Sequence, residues 1–248
     1  MSEVRIFSGA PICSPLTCIR GVHFSTLLLI DPEHQNSKAS NLVLIRFSHE
    51  PDASAEHWHR TFRRVRVTRC FGPAEVLANT TGLEVNYLSK HDSPVSSAQG
   101  VRIVPTMRFE SFSGDTLLVP GGRGTRSLVQ DPEFLRQLAA LAGSADIITS
   151  VCTGSALLAA AGLLENHTAT TNKNAFDWVR THGQKIEWKK QARWVHDGNL
   201  WTSSGVAAGI DMAVAFITHF FGEETASSVT NHIELIVNSN PDNDPFAV

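Results

Sequence analysis

Cys152 is the residue of this chain whose surroundings best fit a nucleophile. A β-branched, apolar run, Ile147–Val151, ends at the cysteine, and an Ala/Leu-rich run that predicts a helix begins at Thr153. The thiol is therefore predicted to lie on a sharp strand-to-helix turn, where enzymes mount nucleophiles. The amino end of that helix favours the thiolate, because free N–H groups and the positive end of the helix dipole face the sulfur. A buried structural cysteine is the alternative interpretation.

Residues 117–124 are the second feature that could take part in a reaction. They are predicted to form a strand that ends in a glycine turn. A thiolate that attacks an unsaturated carbon needs donors for the charge that develops, and glycine lets the backbone approach a reacting atom with its N–H free. We expect the N–H groups of Gly122 and Thr153 to form an oxyanion hole. A plain turn or a phosphate loop is the alternative, although no Gly-Lys-Ser/Thr follows. The Thr153 hydroxyl is a further candidate, with helix capping as its alternative role.

A proton-transfer partner is harder to assign. His232 and Glu234 resemble the His-x-Glu pair that orients a Cys–His–Glu triad, but they fall within a predicted helix and not after a strand. Glu75, on a helix predicted to open at Gly72-Pro73, is the third candidate acid or base. An ordinary helix charge is the alternative interpretation for Glu75.

The composition favours a globular protein that acts on a small molecule. The 248 residues are 42% hydrophobic, which is enough for a full core. A formal net charge of −3 gives no basic footprint for nucleic acid or an anionic membrane. The four cysteines lack the paired spacings of a zinc site, so we expect no metal and a reducing, cytoplasmic location. We also expect no membrane segment, since no apolar run approaches about 18 residues and no signal-peptide core is present.

From about Phe71 onward, strand-like and helix-like runs alternate, which indicates a parallel sheet with crossover helices. Short right-handed connections would stack them into a three-layer α/β sandwich with a mainly parallel central sheet. Asp131 is predicted to cap one helix, with Pro132 at its first position. The strands are predicted at 83–88, 102–104, 116–119, 147–151, 194–196 and 200–203, and the helices at 132–142, 153–162, 174–182, 208–221 and 223–237.

Residues 1–70 lack a sustained helical or strand period and are predicted to be an atypical N-terminal extension ahead of an α/β domain at 71–248. We expect this extension either to be poorly ordered or to supply the first strand of the sheet. Residues 42–47 are the better candidate for that strand, and residues 24–30 are the other. An arginine cluster at 60–69 is interpreted as a solvated face, because no aromatic platform accompanies it.

Ordered motifs from residue 71 to the C-terminal region resemble those of the ThiJ/PfpI superfamily, which has the class I glutamine amidotransferase-like, flavodoxin-like fold. The Cys-Thr-Gly-Ser elbow at 152–155 resembles the isonitrile hydratase-like branch more than the protease-like members, in which His follows the cysteine. The same elbow also occurs in amidotransferase-like sensor domains of some transcription regulators. The motifs that carry the resemblance are those at 71–77, 118–122, 150–155, 161–164, 169–171, 197–202 and 208–211.

This resemblance implies a small-molecule substrate, a homodimer, and a mechanism without metal or cofactor. The Cys152 thiolate would add to the terminal carbon of an isonitrile, an acid would protonate that carbon, and water would release an N-substituted formamide.

Two positions depart from the pattern. Relatives carry Leu-Asp-x-x-Gly-Pro, whereas Arg69 stands here where the carboxyl is expected, and Asn172 stands where relatives often have His. Arginine favours a thiolate but cannot act as a general acid near neutral pH. Two alternatives to an active hydratase therefore stay open. One is a catalytically silent family member, and the other is a redox or stress-response module in which Cys152 oxidises reversibly.

A shifted reading frame or a retained intron is a further hypothesis for residues 1–70. Thr68-Arg69-Cys70 can be encoded by ACT-CGA-TGT, and a shift of one base across such codons reads CTC-GAT, which encodes the Leu-Asp pair of the relatives. Sequencing the transcript tests this hypothesis. A message that encodes these three residues in frame, with no shorter form, would contradict it.

Overall fold

The computed structural model describes residues 44–48, 62–63, 67–90, 92–112 and 115–247, with the backbone alone for the first two ranges. The strands are β1 (Leu44–Ser48), β2 (Phe62–Arg63), β3 (Glu84–Ser89), β4 (Val95–Ser96), β5 (Arg102–Ile103), β6 (Met107–Arg108), β7 (Thr116–Pro120), β8 (Ile147–Val151), β9 (Thr168–Ala169), β10 (Glu187–Trp188), β11 (Trp194–Asp197) and β12 (Leu200–Ser203). The helices are α1 (Val67–Ala78), α2 (Thr125–Leu128), α3 (Pro132–Gly143), α4 (Gly154–Ala160), α5 (Phe176–Val179), α6 (Val206–Phe221) and α7 (Glu223–His232).

A seven-stranded sheet in the order β11-β12-β8-β7-β1-β3-β6 forms the centre of the fold. Strands β7, β8 and β12 are parallel neighbours, and β3 pairs with β6 in parallel. Two strands run the other way: β11 forms a hairpin with β12, and β1 is antiparallel to both β3 and β7. The predicted α/β fold with a mainly parallel central sheet is confirmed. Strand β1 overlaps the 42–47 run, whereas the 24–30 run lies outside the described residues.

Most of the elements predicted around the sheet are confirmed within one or two residues. Strands β7, β8, β11 and β12 and helices α3 and α6 lie where the sequence places them. Asp131 caps α3 as predicted, because its side chain accepts hydrogen bonds from the N–H groups of Glu133 and Phe134. Helix α4 is shorter than the predicted 153–162 and ends at Ala160.

Helix α1 begins at Val67, so the prediction that the helix opens at Gly72-Pro73 is wrong. Pro73 lies inside the helix, where it removes one backbone hydrogen bond. Packing against α6 offsets that loss. A Cβ added at Gly72 would lie 2.8 Å from Ile210, and one added at Gly209 would lie 3.4 Å from the ring of Pro73.

Three further predictions are corrected. The 102–104 strand does not join the central sheet, because β5 pairs with β4 in a small three-stranded sheet. The predicted helix at 174–182 is reduced to a 3₁₀ turn and the four residues of α5, and the chain turns at Gly183 with φ of 79°. The predicted helix at 223–237 ends at His232. Glu234 adopts a left-handed φ of 53°, and the N–H of Leu235 bonds back to Thr230, which closes the helix.

A buried ion network fastens the segment after α7 to the domain. Arg193 donates two hydrogen bonds to Oδ2 of Asp211 in α6, and Asp211 Oδ1 accepts one from the N–H of Asn238 at 3.0 Å. Asp244 lies 3.7 Å from Arg193 and 3.9 Å from Lys173. Burial lowers the pKa of Lys173 to about 8, although the attraction of Asp244 opposes that change.

Within the described ranges, no helix combines the length and the hydropathy that crossing a membrane requires. The same residues contain no group of three or more His, Cys, Asp or Glu side chains arranged to hold a metal ion.

Candidate active site

Cys152 lies between the last residue of β8 and the start of α4, and its φ is 60°. This left-handed conformation is unfavourable for a residue with a Cβ and costs about 1–3 kcal/mol. The predicted sharp strand-to-helix turn is therefore confirmed. Backbone strain of this kind is concentrated at functional sites, where the surrounding structure holds it in place.

Four hydrogen bonds hold the strained peptide groups of Cys152, and the longest, at 3.4 Å, comes from the N–H of Ser155 to the Cys152 carbonyl. Its N–H donates to the carbonyl of Ser203 in β12 at 3.0 Å. Its carbonyl accepts from the hydroxyl of Ser155 at 2.9 Å and from that of Thr171 at 2.9 Å. All three partners are fully buried, so water does not compete for these bonds. The Ala-Thr-Thr motif at 169–171 thus has a role that sequence reasoning missed, because Thr171 anchors the elbow from another part of the chain.

Two glycines allow the end of β7 to touch the elbow. A Cβ added at Gly154 would lie 2.0 Å from the carbonyl oxygen of Val119, and one added at Gly121 would lie 2.5 Å from the backbone nitrogen of Thr153. Both distances are far shorter than a real contact, so only glycine fits at either position. This close approach brings the Pro120-Gly121-Gly122 turn against the residue that follows the nucleophile.

The structure brings Gly122 and Thr153 into contact, whereas the oxyanion hole expected from their two N–H groups stays a prediction. The N–H of Gly122 donates to the Thr153 hydroxyl at 3.0 Å. The hydroxyl of Thr125, a residue that sequence reasoning did not single out, lies 2.7 Å from the Gly122 carbonyl and 3.2 Å from the Thr153 hydroxyl. The N–H of Gly122 is therefore bound to the side chain of the residue that follows Cys152.

The elbow lies at the carboxyl ends of three adjacent parallel strands, β7, β8 and β12. This edge of an open α/β sheet is where ligands bind. Helix α6 begins at Val206, three residues after Ser203, and Gly209 in its first turns packs on Val151. Cys152 and Thr153 are 0% and 7% exposed, so groups at the thiol are shielded from bulk water.

The three candidate acid or base groups meet one another, but away from the elbow. Glu75, His232 and Glu234 line a cavity of about 470 Å³ between α1, α6 and the end of α7. Each of the three side chains is largely exposed. Among the described residues that line this cavity, none belongs to the elbow.

The two positions that depart from the family pattern also have defined places. Arg69 lies on α1, one turn before Gly72, and is half-buried. The side-chain nitrogen of Asn172 lies 3.6 Å from the position that a Cβ on Gly205 would occupy, close to the start of α6. Asn172 follows the anchor Thr171 directly, so it lies beside the elbow's supports.

The described free cysteines differ in their surroundings. Cys70 is fully buried inside α1, and burial raises the pKa of its thiol far above the ordinary value. Such a thiol stays protonated and inert. Cys70 is therefore a structural cysteine, whereas Cys152 occupies the elbow. Cys13 and Cys18 lie outside the described residues.

These features define a class of α/β protein. Its central sheet is mainly parallel, and a cysteine lies on a strained elbow at the carboxyl edge of that sheet. The model of the DJ-1/PfpI family matches residues 62–219, and the chain belongs to this family.

Similar proteins agree with that assignment. An isonitrile hydratase of Pseudomonas putida is 37% identical over 193 residues, which cover 75% of this chain and 83% of the relative. A Parkinson disease protein 7 homologue of Danio rerio is 29% identical over 170 residues, or 66% of this chain and 84% of the relative. The crystal structure of a ThiJ/PfpI family protein from Pseudomonas syringae superposes with a TM-score of 0.62 at 28% identity, and the match covers 76% of this chain and 83% of that one.

The contact between Gly154 and β7 can be tested with a matched pair of substitutions. Gly154→Ala forces a Cβ into the carbonyl of Val119, and we expect it to lower the free energy of unfolding by about 3 kcal/mol. Gly143→Ala, at the end of α3, places its Cβ in open space and is expected to be neutral or to stabilise by up to about 1 kcal/mol. Urea unfolding followed by circular dichroism measures both values. Equal effects of the two substitutions would contradict the close approach of β7 to the elbow.

Proposed function

We propose that this protein is a cysteine-dependent hydratase or hydrolase of small carbon electrophiles, and that isonitriles are its substrates. The observation that carries the proposal is the left-handed backbone of Cys152 at the carboxyl edge of the sheet, with Thr153 and Gly122 beside it. The identity with an isonitrile hydratase over most of the chain supports the choice of reaction. In this proposal the protein binds a small-molecule substrate and acts as a cytoplasmic homodimer. It uses neither a metal nor a cofactor.

The proposed reaction begins with a bond from Sγ of Cys152 to the terminal carbon of R–N≡C. The electron pair left on that carbon takes a proton, which gives a thioimidate, R–N=CH–S. Water then adds to the same carbon while a proton goes to nitrogen. The hydroxyl of this adduct loses its proton, which balances the proton taken up by carbon, and breaking the C–S bond releases the formamide R–NH–CHO and regenerates the thiolate. The substrate is neutral, so binding it at a buried thiol requires no desolvation of a substrate charge.

Hydrogen-bond donors at the elbow have a defined task in this scheme. Negative charge develops on oxygen as the hydroxyl of the tetrahedral adduct loses its proton, and N–H or O–H groups fixed in a water-poor site stabilise such charge. We assign this task to Thr153 and Gly122. The proton donor to carbon is a separate assignment, because the sequence candidates Glu75, His232 and Glu234 line a cavity that none of the described elbow residues lines. The guanidinium of Arg69 does not fill this role, since it holds its proton near neutral pH.

The first test is formamide production from an alkyl and an aryl isonitrile. We expect Cys152→Ala to abolish turnover, because no other group at the elbow can form the covalent adduct. Cys70→Ala is the matched control, since it removes an inert buried thiol and is expected to retain turnover in the folded fraction. Equal rates for the wild type and Cys152→Ala would remove the thiol from the mechanism.

The catalytically silent interpretation has its own outcome in the same assay. If the wild type is folded and inactive, Arg69→Asp restores the carboxyl at the position where relatives carry it. Turnover gained by this variant would support a silent family member. No gain, with an active wild type, supports the hydratase.

A redox or stress-response module is the second candidate function, and the position of Cys152 at the start of helix α4 favours it. The raised pKa of Cys70 protects that thiol from oxidation, because oxidation follows thiolate character. We expect mild peroxide to convert Cys152 to the sulfenic acid ahead of Cys70, Cys13 and Cys18, as measured by mass spectrometry with a sulfenic-acid trap. Uniform oxidation of all four cysteines would argue against a sensor.

A further inference from the structure

Three groups beside the nucleophile form a cluster that we call the hydroxyl triangle: the peptide groups of Gly122 and the hydroxyls of Thr125 and Thr153. Their polar atoms lie between 2.7 and 3.3 Å apart. Thr125 and Thr153 are 1% and 7% exposed, so the cluster is closed to bulk water. Thr125 is the first residue of α2, and nothing in the sequence alone connects it with Cys152.

The distances in the hydroxyl triangle assign two of its protons. The N–H of Gly122 can only donate, and its partner is the Thr153 hydroxyl oxygen at 3.0 Å. Thr125 has one hydroxyl proton, and its shortest contact is the Gly122 carbonyl at 2.7 Å, an ordinary length for an O–H···O bond. Thr125 therefore donates to Gly122.

The hydroxyl proton of Thr153 is left with poor partners inside the triangle. The oxygens available to it are those of Thr125 at 3.2 Å and of the Gly122 carbonyl at 3.3 Å. Both distances exceed the roughly 2.5–3.0 Å of a good O–H···O bond. The Gly122 carbonyl also receives the Thr125 hydroxyl, which reduces its pull on a second proton. Thr153 follows Cys152 directly, so this weakly held proton belongs to the residue next to the nucleophile.

We propose that Thr125 is a positioning residue for the reaction at Cys152. By satisfying the Gly122 carbonyl, it keeps that carbonyl from capturing the Thr153 proton, and the Thr153 hydroxyl then donates to the charge that develops at the reacting atoms. The N–H of Gly122 acts on those atoms indirectly. Its hydrogen bond to the Thr153 oxygen polarises the Thr153 hydroxyl and makes that hydroxyl a stronger donor. The inference rests on the proposed function for its reaction and on the hydroxyl triangle for its geometry.

The test compares Thr125→Val, which has nearly the same shape without the hydroxyl, with Thr125→Ser, which keeps it. We expect Thr125→Val to lower kcat for formamide formation roughly two- to tenfold with little change in KM, and Thr125→Ser to restore kcat. Thr80→Val is the matched control. Thr80 is 1% exposed, and among the described residues its hydroxyl donates to the carbonyl of Val76 in α1. Loss of this hydroxyl is therefore expected to leave kcat unchanged.

A second readout does not depend on the substrate. The rate of Cys152 alkylation by iodoacetamide, followed by mass spectrometry across pH, reports the thiolate fraction. Without the Thr125 hydroxyl, Thr153 turns its proton to Gly122 and the thiolate loses a donor. We therefore expect the midpoint to move upward by roughly 0.4 to 1 on the pH scale in Thr125→Val and not in Thr125→Ser or Thr80→Val.

The outcomes separate this inference from the proposed function. A lowered melting temperature in Thr125→Val with an unchanged alkylation midpoint would overturn the positioning role and leave Thr125 structural. Equal kcat and equal midpoints in Thr125→Val and Thr125→Ser would overturn it as well. If no variant or wild type turns over isonitrile but the midpoint moves only in Thr125→Val, the proposed reaction fails and the positioning role stands. Thr125→Ala replaces Thr125→Val in each comparison if the valine variant does not fold.

Discussion

The surrounding structure must hold Cys152 at a backbone φ of 60°, and this constraint determines how the neighbouring elements pack. A left-handed residue with a Cβ is unfavourable by about 1–3 kcal/mol, and a hydrogen bond contributes about 1 kcal/mol net. The bonds from Ser155, Thr171 and Ser203 are therefore of the right size to hold it. They come from α4, from the segment after β9 and from β12, so the elbow forms only when these three parts of the fold are assembled.

A second requirement at the elbow is steric, because two positions accept only glycine. The glycines at 121 and 154 allow β7 and the elbow to approach within a distance that no other residue permits. The result of this approach is the contact between Gly122 and Thr153, and with it a cluster of neutral donors beside a buried thiol. Neutral hydroxyl and N–H groups can be buried at low cost when they satisfy one another, whereas a charged group there would need a partner. The cluster of Gly122, Thr125 and Thr153 is thus built from polar but uncharged groups.

The sequence predicts the frame of this site well and its supports poorly. Residues 147–151 and 200–203 are short apolar runs bounded by turn residues, and the strands that they predict are the ones that carry the elbow and its anchor Ser203. The hydrogen bond from Thr171 to Cys152 spans 19 residues, and the contact between the hydroxyls of Thr125 and Thr153 spans 28. Bonds between residues so far apart leave no periodic pattern, and buried threonines look like ordinary strand or helix-end residues until the fold places them. For the same reason the sequence could nominate the His232–Glu234 pair and, separately, Glu75, but could not predict that all three line one cavity.

Helix α1 and the last turn of α7 illustrate the opposite failure, in which a local rule is overridden. Pro73 indicates a helix start, yet contact of α1 with α6 carries the helix through it from Val67. The apolar residues after His232 extend a helical pattern, yet a left-handed residue at Glu234 ends the helix. In both places tertiary contact or a single backbone angle outweighs propensity, which is less than about 1 kcal/mol for an ordinary residue and about 3 kcal/mol for a proline inside a helix.

The order in which the chain is synthesised gives the anchors of Cys152 a further meaning. Ser155, Thr171 and Ser203 all follow the cysteine, so the elbow leaves the ribosome before the groups that stabilise it. Until β12 pairs with β8, the peptide at Cys152 lacks its bond to Ser203 and relaxes toward an ordinary conformation. The nascent thiol is therefore an unremarkable one, and the cysteine acquires its special geometry only as the domain closes around it.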